Sequence, residues 1–371
     1  TLFRSGLLLI VLGSQPYALP PFSGEQPVLL FGIRMPTQGF WVAGTTIAII
    51  LALWYLLNRT TLGMALRACA ENRLAGRLMG IDVPRMTLLS FIMSALIGGI
   101  SGIVIAPITS LEFDTGGFFT NFGFIAVAIG GLGSFMGAVV GGLFIGVAEQ
   151  LAAGYVSSLF ANALALGLLL VALLWRPNGL FTHGPVRRQD VRDEQHIHRG
   201  IVRIEGRGGI LFGILAVAFV AALPWIFPDR GTINSLVITG ILFIAVLGLD
   251  VLMGFAGQVS LGHAGFMAIG GYTAAILAVQ YGVSPLLGIL GGIALSVASA
   301  VALSLVTLRL RGHYLALATL AFGLLVDSLT VGLDDLTGGP SGLAGIPSFS
   351  IGSYSFSTPL QMYYLVAGVI V

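Results

Sequence analysis

Residues 59–86 read RTTLGMALRACAENRLAGRLMGIDVPRM, and how they are read decides the fold. Long apolar runs flank the stretch, yet it carries Arg59, Arg67, Arg73, Arg77 and Arg85. Thr60 or Thr61 can cap a helix start, and Gly80 followed by Pro84 is a stop signal. Leu66, Ala70, Leu74 and Leu78 recur every four residues and form one small apolar face. Arg67, Arg73 and Arg77 lie elsewhere on the surface. The spacing predicts a short amphipathic helix sitting in water between two membrane spans. Positive charge alone is what any cytoplasmic connector carries. A plain connector needs no apolar face, so the two-faced pattern favours a helix that a cytosolic partner grips.

Working outward, composition sets the class. The chain has 371 residues, of which 56% are hydrophobic and 9% charged. Soluble domains carry about 25% charged residues, and this composition excludes them. Apolar runs of about 20 residues recur, each long enough for a hydrocarbon core of about 30 Å. The expected fold class is an all-α polytopic membrane protein. Histidines aside, every basic residue is an arginine. Cys69 is the single cysteine, which excludes an internal disulfide and a cysteine metal cluster. Many of the 53 glycines lie inside spans, where small residues let helices approach closely. The chain starts at Thr1 and stops at Val371 inside an apolar run, and reads as a piece cut at both ends within spans.

In order, residues 5–13 read as the tail of a span and 14–37, with Glu25 and Arg34, as an outside loop. Residues 38–57 run inward to the basic stretch, and 87–108 run outward. Residues 109–121, with Glu112 and Asp114, read as an outside loop. The chain must then return to the cytoplasm, because 176–209 is strongly basic. We place a short or broken span at 122–133, a Gly-rich one at 135–153 and a last one at 159–175. The Gly130-Gly131 and Gly141-Gly142 pairs argue against unbroken helices there. Residues 182–209 form a mixed-charge cytoplasmic linker, and its His183, His196 and His198 read as solvated rather than metal-binding. After it, 210–227 run out, 232–252 in, 263–282 out, 285–308 in and 314–333 out. Residues 253–262 are a Gly-rich break; Arg309, Arg311 and Gly312 make an inside turn; 334–358 are an outside loop and 359–371 begin another span. All arginines but Arg4, Arg34 and Arg230, fourteen of seventeen, then lie on or near the cytoplasmic side.

No GxxxxGKS/T, HExxH, CxxC or GxSxG stretch is present, so the chain reads as a transport scaffold and not as an enzyme. Six stretches carry more specific information. LGMALRACAENRLAGRLMGID, AIGGLGSFMGAVVGGLFIGVAEQL and LLWRPNGLF lie in residues 1–181; GQVSLGHAGFMAIGGYTAAIL, LRLRGHYLALATLAFG and LTGGPSGLAGIP lie in 210–371. The chain resembles the permease pair of bacterial branched-chain amino acid ABC importers. Residues 1–181 resemble the carboxy-terminal part of the first, H-type permease, and 210–371 the amino-terminal part of the second, M-type permease. The resemblance covers all but the 182–209 linker. It implies two related portions in the bacterial inner membrane that translocate leucine, isoleucine or valine. It implies separate ABC ATPase subunits, a periplasmic substrate-binding protein, and a second permease copy or the missing permease portions as partners. ATP is bound by those partner subunits, and no cofactor or metal is expected in this chain. In such importers a cytoplasmic helix sits in a groove of the ATPase. Arg67 through Ile81 match it, with Arg67, Glu71, Arg73, Leu74, Arg77 and Leu78 as coupling residues.

Polar residues within spans are the remaining candidates. Gln258, Ser260 and His263 cluster at the Gly-rich break, where exposed backbone groups can hold an amino acid's carboxylate or amine. A helix-packing bend with satisfied polar groups is the other reading. Glu149 and Asp327 also lie in or near spans, as substrate-path residues or at wet helix ends. Importers of urea and short amides look very similar. An ion-coupled secondary transporter would need paired intramembrane acids with counter-charges, which isolated Glu149 and Asp327 do not supply.

Overall fold

The computed structural model describes residues 6–7, 9–11, 13, 15–24, 26–30, 32–112, 115–177, 179–180, 207–310, 312–351 and 354–370. The linker at 182–206 with its histidines, and Glu25, Asp114 and Arg311, lie outside the described residues. The chain divides into two compact units, Thr1–Gly123 and Phe124–Val371.

In the first unit a short antiparallel hairpin, β1 (Val28–Leu30) and β2 (Ile33–Met35), precedes α1 (Thr37–Arg59). Gln38 is buried at the start of α1. Its side chain accepts from the Phe22 N–H at 3.1 Å and donates to the Val104 carbonyl at 2.7 Å. A polar side chain at that depth is tolerated because both ends are paired. The bond to Val104 pins the N-terminal end of α1 to the C-terminal end of α4 (Val83–Ile105). Between them stand two short helices, α2 (Thr61–Glu71) and α3 (Arg73–Leu78), where the periodicity predicts one.

Next come α5 (Thr115–Gly130), α6 (Phe135–Tyr155) and α7 (Ala161–Trp175). Two expectations are corrected here. Helix α5 begins at Thr115, inside the stretch read as an outside loop. Helix α6 runs unbroken through Gly141-Gly142. The reason is packing: a Cβ on Gly141 would run into the Ala126 carbonyl, and Gly130 and Gly137 face each other's backbone as closely. These glycines bring α5 and α6 together without weakening either helix, as small residues do between membrane helices. Of the two glycine pairs, the first alone marks a helix end: Gly131, at φ +102°, follows the last residue of α5.

After the linker come α8 (Arg207–Ile226), α9 (Arg230–Asp250), a single π turn (Val251–Phe255), α10 (His263–Val279), α11 (Pro285–Thr307), α12 (His313–Gly332), the short α13 (Asp334–Thr337) and α14 (Pro359–Ile370). A two-residue hairpin, β3 (Ser350–Ile351) and β4 (Tyr354–Ser355), lies in the loop before α14. Ile233, Val237 and Tyr363 form one buried cluster between α9 and α14, and Leu303, Phe322 and Val326 form another between α11 and α12. Helices α10 and α11 meet through Gly270 and Gly292. Helix α12 packs against α7 as well as α10.

Among the described residues, six helices are long and apolar enough to cross a membrane: Thr37–Arg59, Val83–Ile105, Phe135–Tyr155, Arg230–Phe255, Pro285–Thr307 and His313–Gly332. Shorter apolar helices, including Ala161–Trp175 and His263–Val279, accompany them. The architecture is the all-α, multi-span one that the apolar runs predict.

Candidate functional site

The basic stretch folds by capping. The Thr60 hydroxyl accepts from the Gly63 N–H at 3.1 Å and starts α2, as expected of that residue. Asn72 then ends α2, and its side-chain oxygen accepts from the N–H groups of Leu74 and Ala75, both at 3.0 Å. One side chain thereby satisfies two of the donors a new helix leaves open. Gly80, at φ +81°, supplies the stop. The single helix predicted across Arg67–Ile81 is therefore two, because Asn72 caps more favourably than it continues a helix.

That break splits the apolar face. Half-buried Leu66, exposed Ala70 and buried Cys69, together with Val83, Met86 and Ile97 of α4, line an open cavity of about 680 Å³. Gly76 of α3 closes on the Cys69 sulfur, which is buried. Leu74 and Leu78, in contrast, are 67% and 80% exposed, and Met79 beside them is 81% exposed. Arg67, Glu71, Arg73 and Arg77 are exposed around this patch. The Arg67 guanidinium donates to the Asn58 side chain at 3.4 Å. Asp82 caps α4 through the Arg85 N–H and forms an ion pair with the Arg85 side chain at 3.0 Å, on the surface.

The Gly-rich break is the second region. Helix α9 loosens into its π turn, and Ala256–Gly262 run without helical structure before α10 begins at His263. Gly257 takes φ +63°. The Leu261 N–H donates to the Thr319 hydroxyl of α12 at 3.0 Å, and that hydroxyl donates to the Ala316 carbonyl at 2.9 Å. Gly262 lies directly on the Thr319 carbonyl and Gly265 on Phe322 and Gly323, so any side chain at Gly262 would collide with backbone. Thr319 was not among the residues that the motif singled out. Its signal, within the stretch LRLRGHYLALATLAFG, is a hydroxyl standing alone in the apolar run 315–326.

Ser260 is 3% exposed, and its Oγ finds no hydrogen-bond partner; neither does the buried Nδ1 of His263. The Nε2–Cε1 edge of that ring lies against Gly248 of α9, where an added Cβ would sit 3.1 Å from Nε2. Gln258 is exposed, and its N–H donates to the Leu252 carbonyl at 3.0 Å. The structure thus gathers Ser260 and His263 at the break and turns Gln258 outward. Glu149 is half-buried on α6 and Asp327 exposed on α12. Among the described residues, neither carboxylate is hydrogen-bonded or ion-paired to the break. A buried hydroxyl and a buried ring nitrogen without partners are costly in an apolar medium, and a polar solute there would satisfy them.

With both regions described, the relatives can be placed. The pattern of a family described as branched-chain amino acid transport system / permease component matches residues 9–174 and again 231–371. The chain belongs to that family. Over 193 residues it is 28% identical to the high-affinity branched-chain amino acid transport system permease protein LivH of Escherichia coli K12, covering 51% of this chain and 63% of that protein. It is 31% identical over 144 residues to BraD of Pseudomonas aeruginosa, covering 38% and 47%. It is 40% identical over 121 residues to LivM of Escherichia coli K12, covering 31% and 27%. The chain spans less than two thirds of the length of each of these relatives. No solved structure is a significant match to it. As a member of this family with six membrane-length helices among the described residues, it is a multi-pass membrane protein.

Proposed function

We propose that the chain forms membrane-spanning portions of an ATP-driven importer of branched-chain amino acids in the bacterial inner membrane. The observation that carries this reading is the double family match, with relatives named LivH and LivM falling on one chain. Leucine, isoleucine or valine is the proposed substrate, handed over by a periplasmic binding protein. The chain holds no ATPase of its own in this reading; ABC ATPase subunits bind the nucleotide and grip the α2–α3 pair. Leu74 and Leu78 anchor that grip, with Arg67, Glu71, Arg73 and Arg77 around them. Ser260 and His263 supply polar contacts along the substrate path, with Gln258, Glu149 and Asp327 as outlying candidates.

The test is uptake into inverted-topology-checked vesicles holding the full chain with its ATPase and binding-protein partners. ATP-dependent uptake of leucine, competed by isoleucine and valine and not by urea or short amides, is the expected result. Uptake competed by urea would move the assignment to the short-amide importers. Uptake driven by an ion gradient without ATP would reject the reading.

A further inference from the structure

We propose that the face of α12 carrying Tyr314, Ala318, Ala321 and Gly332 is an assembly surface for residues 129–180, and holds the two permease portions together without the linker. The inference rests on packing and goes beyond the transport reading. Residues 124–174 belong to the first portion by family match, yet they fold into one compact unit with the second. Two anchors hold them there. Tyr314 is buried, and its hydroxyl accepts the Leu132 N–H at 2.8 Å, from a turn where that donor has no helical partner. At the other end of α12, Gly332 lies under the Phe160 ring, where an added Cβ would stand 3.0 Å from a ring carbon.

Between the anchors the helices offer matched surfaces. Ala161, Ala165, Leu169 and Leu173 recur every fourth residue on α7 and are buried. Ala318 and Ala321 are fully buried on α12. Small residues facing across a helix pair permit the close backbone approach that holds membrane helices together where lipid supplies no hydrophobic drive. The docked piece is also closed on itself: the Leu180 N–H donates to the Ile129 carbonyl at 2.8 Å, and the Arg176 guanidinium donates to the Leu180 carbonyl at 3.0 Å. The anchors agree with the arginine distribution, which puts residues 132 and 314 at the cytoplasmic side and 160 and 332 outside. The surface therefore runs the full depth of the helix pair, and the partner it fits is the carboxy-terminal hairpin of an H-type permease.

The experiment uses the full chain with a protease site placed within 182–206 and an affinity tag after Val371. After complete cleavage in mild detergent, the amino-terminal piece is expected to stay bound in a one-to-one ratio. Tyr314→Phe should speed its loss about threefold, the size of one hydrogen bond between membrane helices. Gly332→Leu should speed it about tenfold through overpacking against Phe160. Because that variant can fail to fold, a cross-link gives a second reading. With Cys69→Ala as background, Phe160→Cys and Gly332→Cys should be joined by a short bifunctional thiol reagent, leaving one full-length band after cleavage. Separation of the parent pieces on cleavage overturns the proposal, as do cross-links formed solely between chains.

Discussion

The α2–α3 pair and the break before α10 are incomplete in opposite ways. In the helix pair the backbone is closed: Thr60 and Asn72 take up the loose N–H groups, and Gly80 ends the last turn. What is left over is apolar and outside, in Leu74, Leu78 and Met79. At the break the backbone is tied to Thr319, and what is left over is polar and inside, in Ser260 and His263. An exposed apolar patch calls for a protein surface. A buried polar pair calls for a small polar solute or a water. In the proposed reading, the two regions take different kinds of partner before any substrate is considered.

The largest effect expected from breaking this contrast is at the helix pair. Truncating a central interface anchor can cost about 2 kcal/mol or more. Leu74→Asp or Leu78→Asp should therefore cut coupling by about thirtyfold while the protein still inserts, because neither side chain supports its own fold.

At the break, Ser260→Ala and His263→Ala should slow transport by an amount corresponding to about 1–3 kcal/mol. Their effect on stability separates the readings. Removing a buried hydroxyl that has no partner relieves a desolvation cost, so Ser260→Ala should leave thermal stability unchanged or raised. Slower transport with undiminished stability marks a path residue; a stability loss matching the transport loss marks a structural bend. Gln258→Ala, at an exposed position, should do less than either.

Smaller effects follow from the caps. Asn72→Ala should loosen α3 by about 1 kcal/mol. Cys69 is buried beneath that helix, so an impermeant thiol reagent should label it slowly, and only from the cytoplasmic side. Asn72→Ala should speed that labelling about fivefold. Labelling from outside in intact spheroplasts would reverse the orientation. Arg73→Ala, a rim charge in this account, should shift coupling by about 0.5 kcal/mol or less.

Much of this was legible in the chain because apolar runs and arginine placement are local signals. The spans, the Thr60 cap and the Gly80 stop all follow from neighbours within a few residues. Three features did not. Asn72 suits a helix surface and a helix start alike, and the periodicity of Leu66, Ala70, Leu74 and Leu78 runs straight through it. Gly141-Gly142 looks the same whether it breaks a helix or admits a neighbour, and Ala126, fifteen residues earlier, decides between the two. Thr319 and Tyr314 act on Leu261 and Leu132, 58 and 182 residues away, and no pattern along the chain joins such pairs. At the site, the cluster of Ser260 and His263 was visible from composition, but which of its members turn inward depended on α12.

The most direct test of the central claim is substrate-stimulated ATP hydrolysis in vesicles that contain the full chain and its partner subunits. The account predicts normal insertion, normal basal hydrolysis and lost stimulation for both Leu74→Asp and Leu78→Asp, with Arg73→Ala close to the parent. Full stimulation in both leucine variants would contradict it, and would leave residues 59–86 as a solvated, positively charged loop.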